Sequence, residues 1–415
     1  MTRMKDSGIE WIGEVPEDWG ITKLKYICRM QSGNNLTSLE ISSENDGGKI
    51  FPVYGGNGQR GYYSDFTNEG NYCLVGRQGA LAGNVHFVSG KFWATDHAIV
   101  VYEHTHTYSK YLCYLLKAMN LNQYAFETSA QPGLSVEKIL QLEMIHCPKG
   151  EQTQIADFLD KKVAQLDEVK SLLEEQIKTL EDYRRSLIYE TVTKGLDKTV
   201  PLKDSGVDWI GQIPEGWEVK KHKYIMSKTK TLCSHYNGQK ILSLTRQGVI
   251  SRDVESGKGK MPASFDGYQF LTRGDLLLCL FDIDVTPRCV GVVESDGLTS
   301  PAYSRFKVSE DSSAYYYYYL FLSMDDDKVL LHLAKNLRNS LTEDDFGDIE
   351  TIVPSYKEQV IIANYLNKKT VLIDKLIQLK KVQIENINKQ RQALIYDYVT
   401  GKRRVRWSTK TTTIL

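Results

Sequence analysis

The sequence predicts a mixed α/β chain of the α+β kind: two small β-rich sheet domains with helices, separated by two long antiparallel coiled-coil helices. Three observations carry this. First, residues 5–27, KDSGIEWIGEVPEDWGITKLKYI, return as residues 203–225, KDSGVDWIGQIPEGWEVKKHKYI, with 14 of 23 positions identical at an offset of 198. Second, EQTQIADFLDKK at Glu151 returns as EQVIIANYLNKK at Glu358, an offset of 207, and the register holds to RRSLIYETVT and RQALIYDYVT. Third, the stretch after each such start is patterned as one long helix. The chain is therefore a tandem internal duplication, and two equivalent units imply pseudo-twofold symmetry.

Each unit reads in order as a short signature, a globular middle and a helical stretch. The expected boundaries are 1–150 and 198–357 for the sheet domains, 151–197 and 358–402 for the helices, and 403–415 for a basic C-terminal tail. In the first middle, YCLVG (72–76), VHFV (85–88) and AIVVY (98–102) are bounded by Gly and Asn and predict strands. YLCYLLKAM (111–119) predicts a helix. In the second middle, LLLCLF (276–281), CVGVV (289–293) and YSRFKV (303–308) predict strands. The five-tyrosine run 315–319 falls where the first middle has its helix, so helix packing is preferred there to a base-stacking platform.

The helical stripe runs through Ile155, Leu159, Val163, Leu166, Val169, Leu173, Ile177, Leu180, Tyr183 and Leu187. Its mean step of about 3.56 lies between a coiled coil and a straight amphipathic helix. Ile362, Leu366, Ile373, Leu376, Ile384, Ile387 and Leu394 repeat it, and neither stretch contains Pro or Gly. At about 1.5 Å per residue such a helix reaches about 60 Å, too long for the interior of one small domain.

Composition narrows the class. The chain has 415 residues, 41% hydrophobic and 25% charged, which is globular composition. It holds no apolar run of membrane-spanning length and no apolar signal-peptide core at its start. The seven scattered cysteines form no Cys-x-x-Cys, which fits a reducing cytoplasm better than a disulfide framework or zinc cluster. Lys plus Arg equal Asp plus Glu at 52 each, yet residues 358–415 carry 12 basic and 4 acidic residues, and residues 220–260 carry ten basic residues against Asp253 and Glu255. A neutral total thus conceals candidate polyanion sites.

Catalytic signatures fail on inspection. There is no Asn-Pro-Pro-aromatic or Asp-Pro-Pro-aromatic motif and no Walker loop. Gly56-Asn-Gly-Gln-Arg-Gly61 fits G-x-G-x-x-G, but no helix pattern follows to offer phosphates its N-terminus. A Gly/Asn turn carrying Gln59 and Arg60 is the preferred reading. Glu218-Val-Lys220 with Asp208 suggests a nuclease set, but the first copy has Gly20 in place of Glu218. His97, His104 and His106 lack companion ligands at metal spacing. No catalytic residue, metal ligand or cofactor-binding residue is assigned.

The binding candidates are basic and amide side chains. In the segment 220–260, Lys228, Lys230, Lys240, Arg246, Gln247, Arg252, Lys258 and Lys260 are candidate DNA contacts, with a solvated face as the alternative. Lysine neutralises phosphates, while Arg suits guanine and Gln suits adenine. Arg77-Gln78-Gly in the first middle matches Arg246-Gln247-Gly in the second. Trp11, Trp19, Tyr189, Trp209, Trp217 and Tyr396 are candidates for duplicated docking or structural surfaces.

The two signatures, the paired helix motifs and the tract VYGGNGQRGYYSDF…LVGRQGALAGNVHFV…FWATDHAIVV resemble the DNA-specificity (S) subunit of Type I restriction–modification systems over almost the whole chain. The resemblance implies two target-recognition domains on two conserved antiparallel helices, and a split double-stranded DNA target with an unread spacer. It implies a subunit that is not itself catalytic and holds no cofactor. Its expected partners are two modification subunits, which use S-adenosylmethionine to methylate adenine, and restriction subunits, which use ATP and Mg to cleave DNA. A coiled-coil adaptor that does not read sequence, and a non-canonical methyltransferase or nuclease, are the alternatives.

If the helices set the spacer, a four-residue insertion near Leu173 adds about 6 Å, close to two base pairs, and turns the helix only about 40° beyond a full turn. Sequencing of DNA modified by that variant should show both half-sequences retained at a longer spacer. An unchanged spacer would contradict the expectation. A two-residue insertion, rotating the stripe by about 200°, should damage assembly.

Overall fold

The computed structural model describes residues 3–79, 82–125, 133–254, 262–334 and 339–405. The chain forms two compact units, one from residues 1–173 with 382–415 and the other from residues 174–381. The long helices are therefore not separate modules as the serial boundaries suggest. Each is divided between the two units.

In the first unit the signature supplies the short strands β1 (Met4–Asp6), β2 (Glu14–Pro16) and β3 (Gly20–Lys23). A mixed sheet follows from β4 (Cys28–Ser32), β5 (Phe51–Gly55), β6 (Gly58–Tyr63), β7 (Asn68–Gly76), β8 (Val85–Ala94) and β9 (Ala98–Glu103), in the order β4-β9-β7-β8-β5-β6. All pairs are antiparallel except β5 with β8. Then come α1 (Ser109–Ala118), α2 (Val136–Leu140), β10 (Glu143–His146), which pairs with β3, and α3 (Lys149–Lys194). One face of the sheet packs on α1 through Cys73, Val75, Ile99, Val101, Leu112 and Leu116. The other face buries Leu74, Val88, Phe92 and Val100. The alternation of these residues along β7 and β9 is the two-residue period of a sheet covered on both faces.

The second unit repeats this order with a broken sheet. β11 (Leu202–Asp204), β12 (Gln212–Pro214) and β13 (Glu218–Lys221) are the second signature. β14 (Met226–Lys228), the hairpin β15 (Leu242–Thr245) and β16 (Gly248–Ser251), β17 (Gln269–Leu271), β18 (Leu276–Leu278), β19 (Val290–Val292), β20 (Gly297–Thr299) and β21 (Ser304–Val308) follow. Gln269 faces Thr299 and Leu276 faces Val292, so β17 with β20 and β18 with β19 lie on one antiparallel register. They form the counterpart of the unbroken β7–β8 hairpin, interrupted at 272–275. There Arg305 Nε donates to the Asp275 carboxylate at 2.7 Å and its Nη2 donates to Thr272 Oγ1 at 2.9 Å. The expected strand 276–281 therefore ends at Leu278 and continues as a loop. α4 (Ala314–Asp326) carries the tyrosine run, with Tyr316, Tyr317 and Tyr319 buried in helix packing and Tyr315 and Tyr318 half-buried. α5 (Val329–Leu333), α6 (Glu343–Asp348), β22 (Glu350–Val353), paired with β13, and α7 (Tyr356–Val399) complete the chain.

The helices run antiparallel in each unit. Phe158 packs on Tyr398 and Arg391 pairs with Asp167 in the first. Lys380 donates to Gln176, and Arg184 pairs with Asp374, in the second. The stripe holds at its ends, where Ile155, Leu159, Val163, Ile362 and Leu366 are buried. It drifts in the middle: Val169 and Tyr183 are exposed, and Ile377 takes the buried place expected for Leu376. A single neighbouring helix covers only a narrow face, so a small departure from 3.5 residues per turn carries a stripe residue to solvent.

At the repeat offset, the buried Leu24 of the first signature corresponds to the equally buried His222 of the second. His222 Nδ1 lies 2.9 Å from the Phe346 carbonyl oxygen, and its Nε2 is buried without a partner. Burial lowers its pKa from 6.5 to about 4, so the folded state holds it neutral. Below pH 6.5 the unfolded chain takes up a proton that the folded chain refuses. The contribution of this group is therefore full above pH 6.5 and is lost as pH falls toward 4, with a limiting slope of about 1.4 kcal/mol for each pH step. His222→Leu, which restores the first copy's residue, should flatten the fall in urea-unfolding stability between pH 6.5 and 4. An unchanged acid slope would show that other groups set it.

Candidate nucleic-acid interface

In the first unit the β5–β6 hairpin turns through Gly56 and Asn57 and lies against the end of β7. A Cβ on Gly56 would stand 3.2 Å from the His97 carbonyl oxygen and 3.6 Å from Gly76 Cα, so a larger residue would press the neighbouring backbone away by a few tenths of an ångström. The consequence is a concavity of about 410 Å³ lined by Gly58, Gln59, Arg60, Gln78, Gly79 and His97. Gln59 and Arg60 stand on strand β6 rather than in the turn where the sequence suggested them. Both are exposed, and Arg60 Nη2 donates to Ser38 Oγ at 3.3 Å. No helix begins after Gly61, which removes the dinucleotide geometry of G-x-G-x-x-G.

Arg77 and Gln78 lead out of β7 on a tethered backbone. The Arg77 N–H donates to the His97 carbonyl, and its own carbonyl accepts from the Leu134 N–H, both at 2.9 Å. The Arg77 side chain is half-buried and Gln78 is exposed. The structure therefore brings Gln59, Arg60 and Gln78 to one concave face, with Arg77 adjoining it. An exposed guanidinium and two amides on a backbone held by glycine contacts can meet phosphates and base edges.

The second unit places its candidates differently. Arg246 and Gln247 are the exposed two-residue turn of the β15–β16 hairpin, whose Gln247 N–H donates to Thr245 Oγ1 at 3.2 Å. They border a cleft of about 730 Å³ with Arg185, Arg288, Tyr315, Tyr318 and Lys381. Topologically this turn matches the β5–β6 turn and not the Arg77-Gln78 corner. The two Arg-Gln-Gly sequences are therefore not equivalent positions, and their match is no sign of duplicated function.

The basic segment is also not one free patch. Lys228 pairs with Glu343 at 3.0 Å, in a recess shared with Asp344 and Asp348, and Lys221 and Lys223 both pair with Asp348. Lys230 donates to the Pro301 carbonyl at 3.4 Å, and Lys240 is exposed. Arg252 is half-buried, with its N–H on the Ile241 carbonyl at 2.7 Å. Lys258 and Lys260 lie outside the described residues. Lys228 and the Arg246-Gln247 turn border different recesses, a separation that charge counting along the chain could not detect. The Glu218–Lys220 pair, at 2.6 Å, is an exposed ion pair on a strand edge.

The duplicated aromatics are parts of the frame. Trp19 is buried and its Nε1 donates to Glu151 at 3.0 Å, and buried Trp217 donates to Glu358 at 3.4 Å. Tyr396 Oη donates to the Trp11 and Ile12 carbonyls, and Tyr189 Oη donates to the Ile210 carbonyl. Trp11 and Trp209 are half-buried, and Trp209 borders an open recess with Asp208, Lys221 and Asp348.

Comparison with known proteins agrees with this architecture. A family model described as the Type I restriction modification DNA specificity domain matches residues 16–180. The EcoprrI specificity subunit of a type I restriction enzyme from Escherichia coli is 41% identical over 138 residues, which are 33% of this chain and 34% of that relative. The match thus spans about a third of that relative's length. The putative MjaX specificity subunit of Methanocaldococcus jannaschii is 24% identical over 95% of this chain and 96% of its own. A chain solved in a study of complex assembly and conformational transition of the type I R-M system superposes with a TM-score of 0.65 at 13% identity, covering 94% of this chain and 99% of that one. This last likeness is one of fold.

Proposed function

We propose, for a chain that belongs to the DNA-specificity subunits of Type I restriction–modification systems, that it reads a split duplex target and directs separate catalytic subunits to it. The observation that supports this best is a frame repeated bond for bond beneath two unlike sets of loops. Tyr111 Oη donates to the Val399 carbonyl as Tyr316 Oη donates to the Val192 carbonyl. Gln152 accepts from the Tyr108 N–H as Gln359 accepts from the Ser313 N–H. The loops above differ in their side chains: where the first domain carries Gln59, Arg60, Arg77 and Gln78, the second carries a different chemistry.

In this role the chain supplies recognition and no bond-making step. The lysines and arginines of each face meet phosphates, which sets affinity and its salt dependence. Arg77, Gln78, Gln59, Arg246 and Gln247 meet base edges, which sets sequence preference. The repeated frame presents two like surfaces, each suited to one modification subunit. S-adenosylmethionine, ATP and Mg belong to the partners. Among the described residues no helix is long and apolar enough to cross a membrane.

Competition binding of the assembled methylase at physiological salt tests the reading. A specific duplex should be preferred by orders of magnitude over scrambled DNA, and equal binding would contradict sequence reading. Arg77→Ala should cost about 1–3 kcal/mol on one half-target only. Unchanged discrimination would remove Arg77 from the interface. Mass measurement should find two modification subunits per chain, whereas a complex saturated at one would contradict the duplicated docking surface.

A further inference from the structure

The second domain has an element at the place of the Arg77 corner that its sequence conceals. In the first domain the chain leaving β7 gives its Arg77 carbonyl to the Leu134 N–H at 2.9 Å, and Gly79, two residues on, has φ +82°. In the second domain the chain leaving β18 gives its Leu280 carbonyl to the Leu341 N–H at 2.8 Å, and Asp282, two residues on, has φ +47°. Leu134 and Leu341 are separated by the same 207 residues that relate the helices. Leu280, Phe281 and Asp282 therefore stand where the first domain has Arg77, Gln78 and Gly79, and the loop to β19 corresponds to the loop from Arg77 to Asn84.

That loop is held from below and open above. The buried Ile283 donates its N–H to the Asn339 carbonyl at 3.1 Å. Thr286 Oγ1 donates to the Asp282 carbonyl at 2.8 Å. The Cys289 N–H donates to the buried Asp325 carboxylate at 2.9 Å. Phe281, Asp282, Asp284 and Val285 are exposed, and Val285, at 73%, is among the most exposed apolar side chains of the chain. Asp282 is a non-glycine residue in the left-handed region, a strained conformation that tethered functional loops retain. A tethered loop that displays a valine to water is not explained by packing.

Resting on the DNA-reading role, we infer that the loop from Phe281 to Arg288 is the base-reading element of the second domain, with Asp284 accepting from a cytosine amino group and Val285 meeting a thymine methyl. Duplex DNA is the occupant that the surroundings favour. Arg288, at the loop's far end, pairs with the buried Asp325 at 3.9 Å and borders the same cleft as the Arg246-Gln247 turn, so the exposed Arg246 stands beside the loop to meet phosphates. Carboxylate to cytosine N4 and aliphatic carbon to the thymine methyl are the major-groove pairings open to these side chains. The first domain offers Arg and Gln at the corresponding corner, so the two half-targets differ in kind.

The test is selection from a randomised duplex library by the complete chain assembled with its modification subunits, followed by sequencing of bound DNA. Wild type, Asp284→Asn, Val285→Ala and Arg77→Ala are compared. Asp284→Asn and Val285→Ala should each lower preference at one or two base positions by about 5- to 150-fold. Those positions should fall in the half-target that Arg77→Ala leaves intact. The half read by the first domain, retained in the same molecule, reports correct folding. Full retention of both half-targets in both loop variants, or losses confined to the Arg77 half, would overturn the inference while leaving sequence reading in place. A wild-type complex that enriches no sequence would overturn the DNA-reading role and the inference with it.

Discussion

Everything in the frame depends on how the ends of the long helices are closed. A helix start leaves backbone N–H groups unpaired and partially positive, and a carboxylate placed there is favourable. Glu151 and Glu358 occupy the first turns of α3 and α7, and each also accepts from a buried tryptophan of its own signature. The helix ends are closed against the same tryptophans. Gly401, at φ +74°, would place a Cβ 3.1 Å from the Trp19 ring, and Gly195, at φ +71°, one 3.3 Å from the Trp217 ring. One indole thus touches a helix start and a helix end, so signature, sheet domain and both helices are fixed by a single buried contact region in each unit.

This closure explains why the middles can diverge. The residues that join frame to sheet, Tyr111 with Gln152 and Tyr316 with Gln359, bond to backbone groups and demand little of the strands beyond their position. The first sheet has an unbroken β7–β8 hairpin, while the second interrupts the same register at 272–275. The break is stabilised by the Arg305–Asp275 pair, whose side chains are 10% and 4% exposed. A buried pair of this kind adds modest net stability, because its desolvation offsets much of its attraction. The loops that follow are then free to carry different side chains on equivalent supports.

Much of this was legible in the sequence, for physical reasons. Helix periodicity and the absence of Pro and Gly located α3 and α7 within three residues at each end, since a long uninterrupted pattern has few other solutions. The duplication exposed the frame because both copies must close the same helix ends with the same side chains. The loop side was harder. Arg77-Gln78 and Arg246-Gln247 look alike as strings, yet occupy different corners, because equivalence in a sheet is set by register and not by local identity. The apolar run 276–281 read as strand throughout, although Leu280 and Phe281 belong to a loop, since hydrophobicity does not distinguish a buried strand from a chain leaving it. The hydrogen bond from Leu341, 61 residues away along the chain, fixes that exit. Lys228 counted toward a basic patch until Glu343, far off in sequence, proved to be its partner.

One repeated frame thus carries two unlike loop surfaces, proposed to read two different half-targets. Mapping of methylated adenines in DNA from cells that contain this chain and the modification subunits proposed as its partners is the decisive measurement. The expected result is a single bipartite motif, two different half-sequences separated by unread bases at one fixed spacing. A symmetric motif with identical halves, an undivided motif, or methylation without a motif would contradict it.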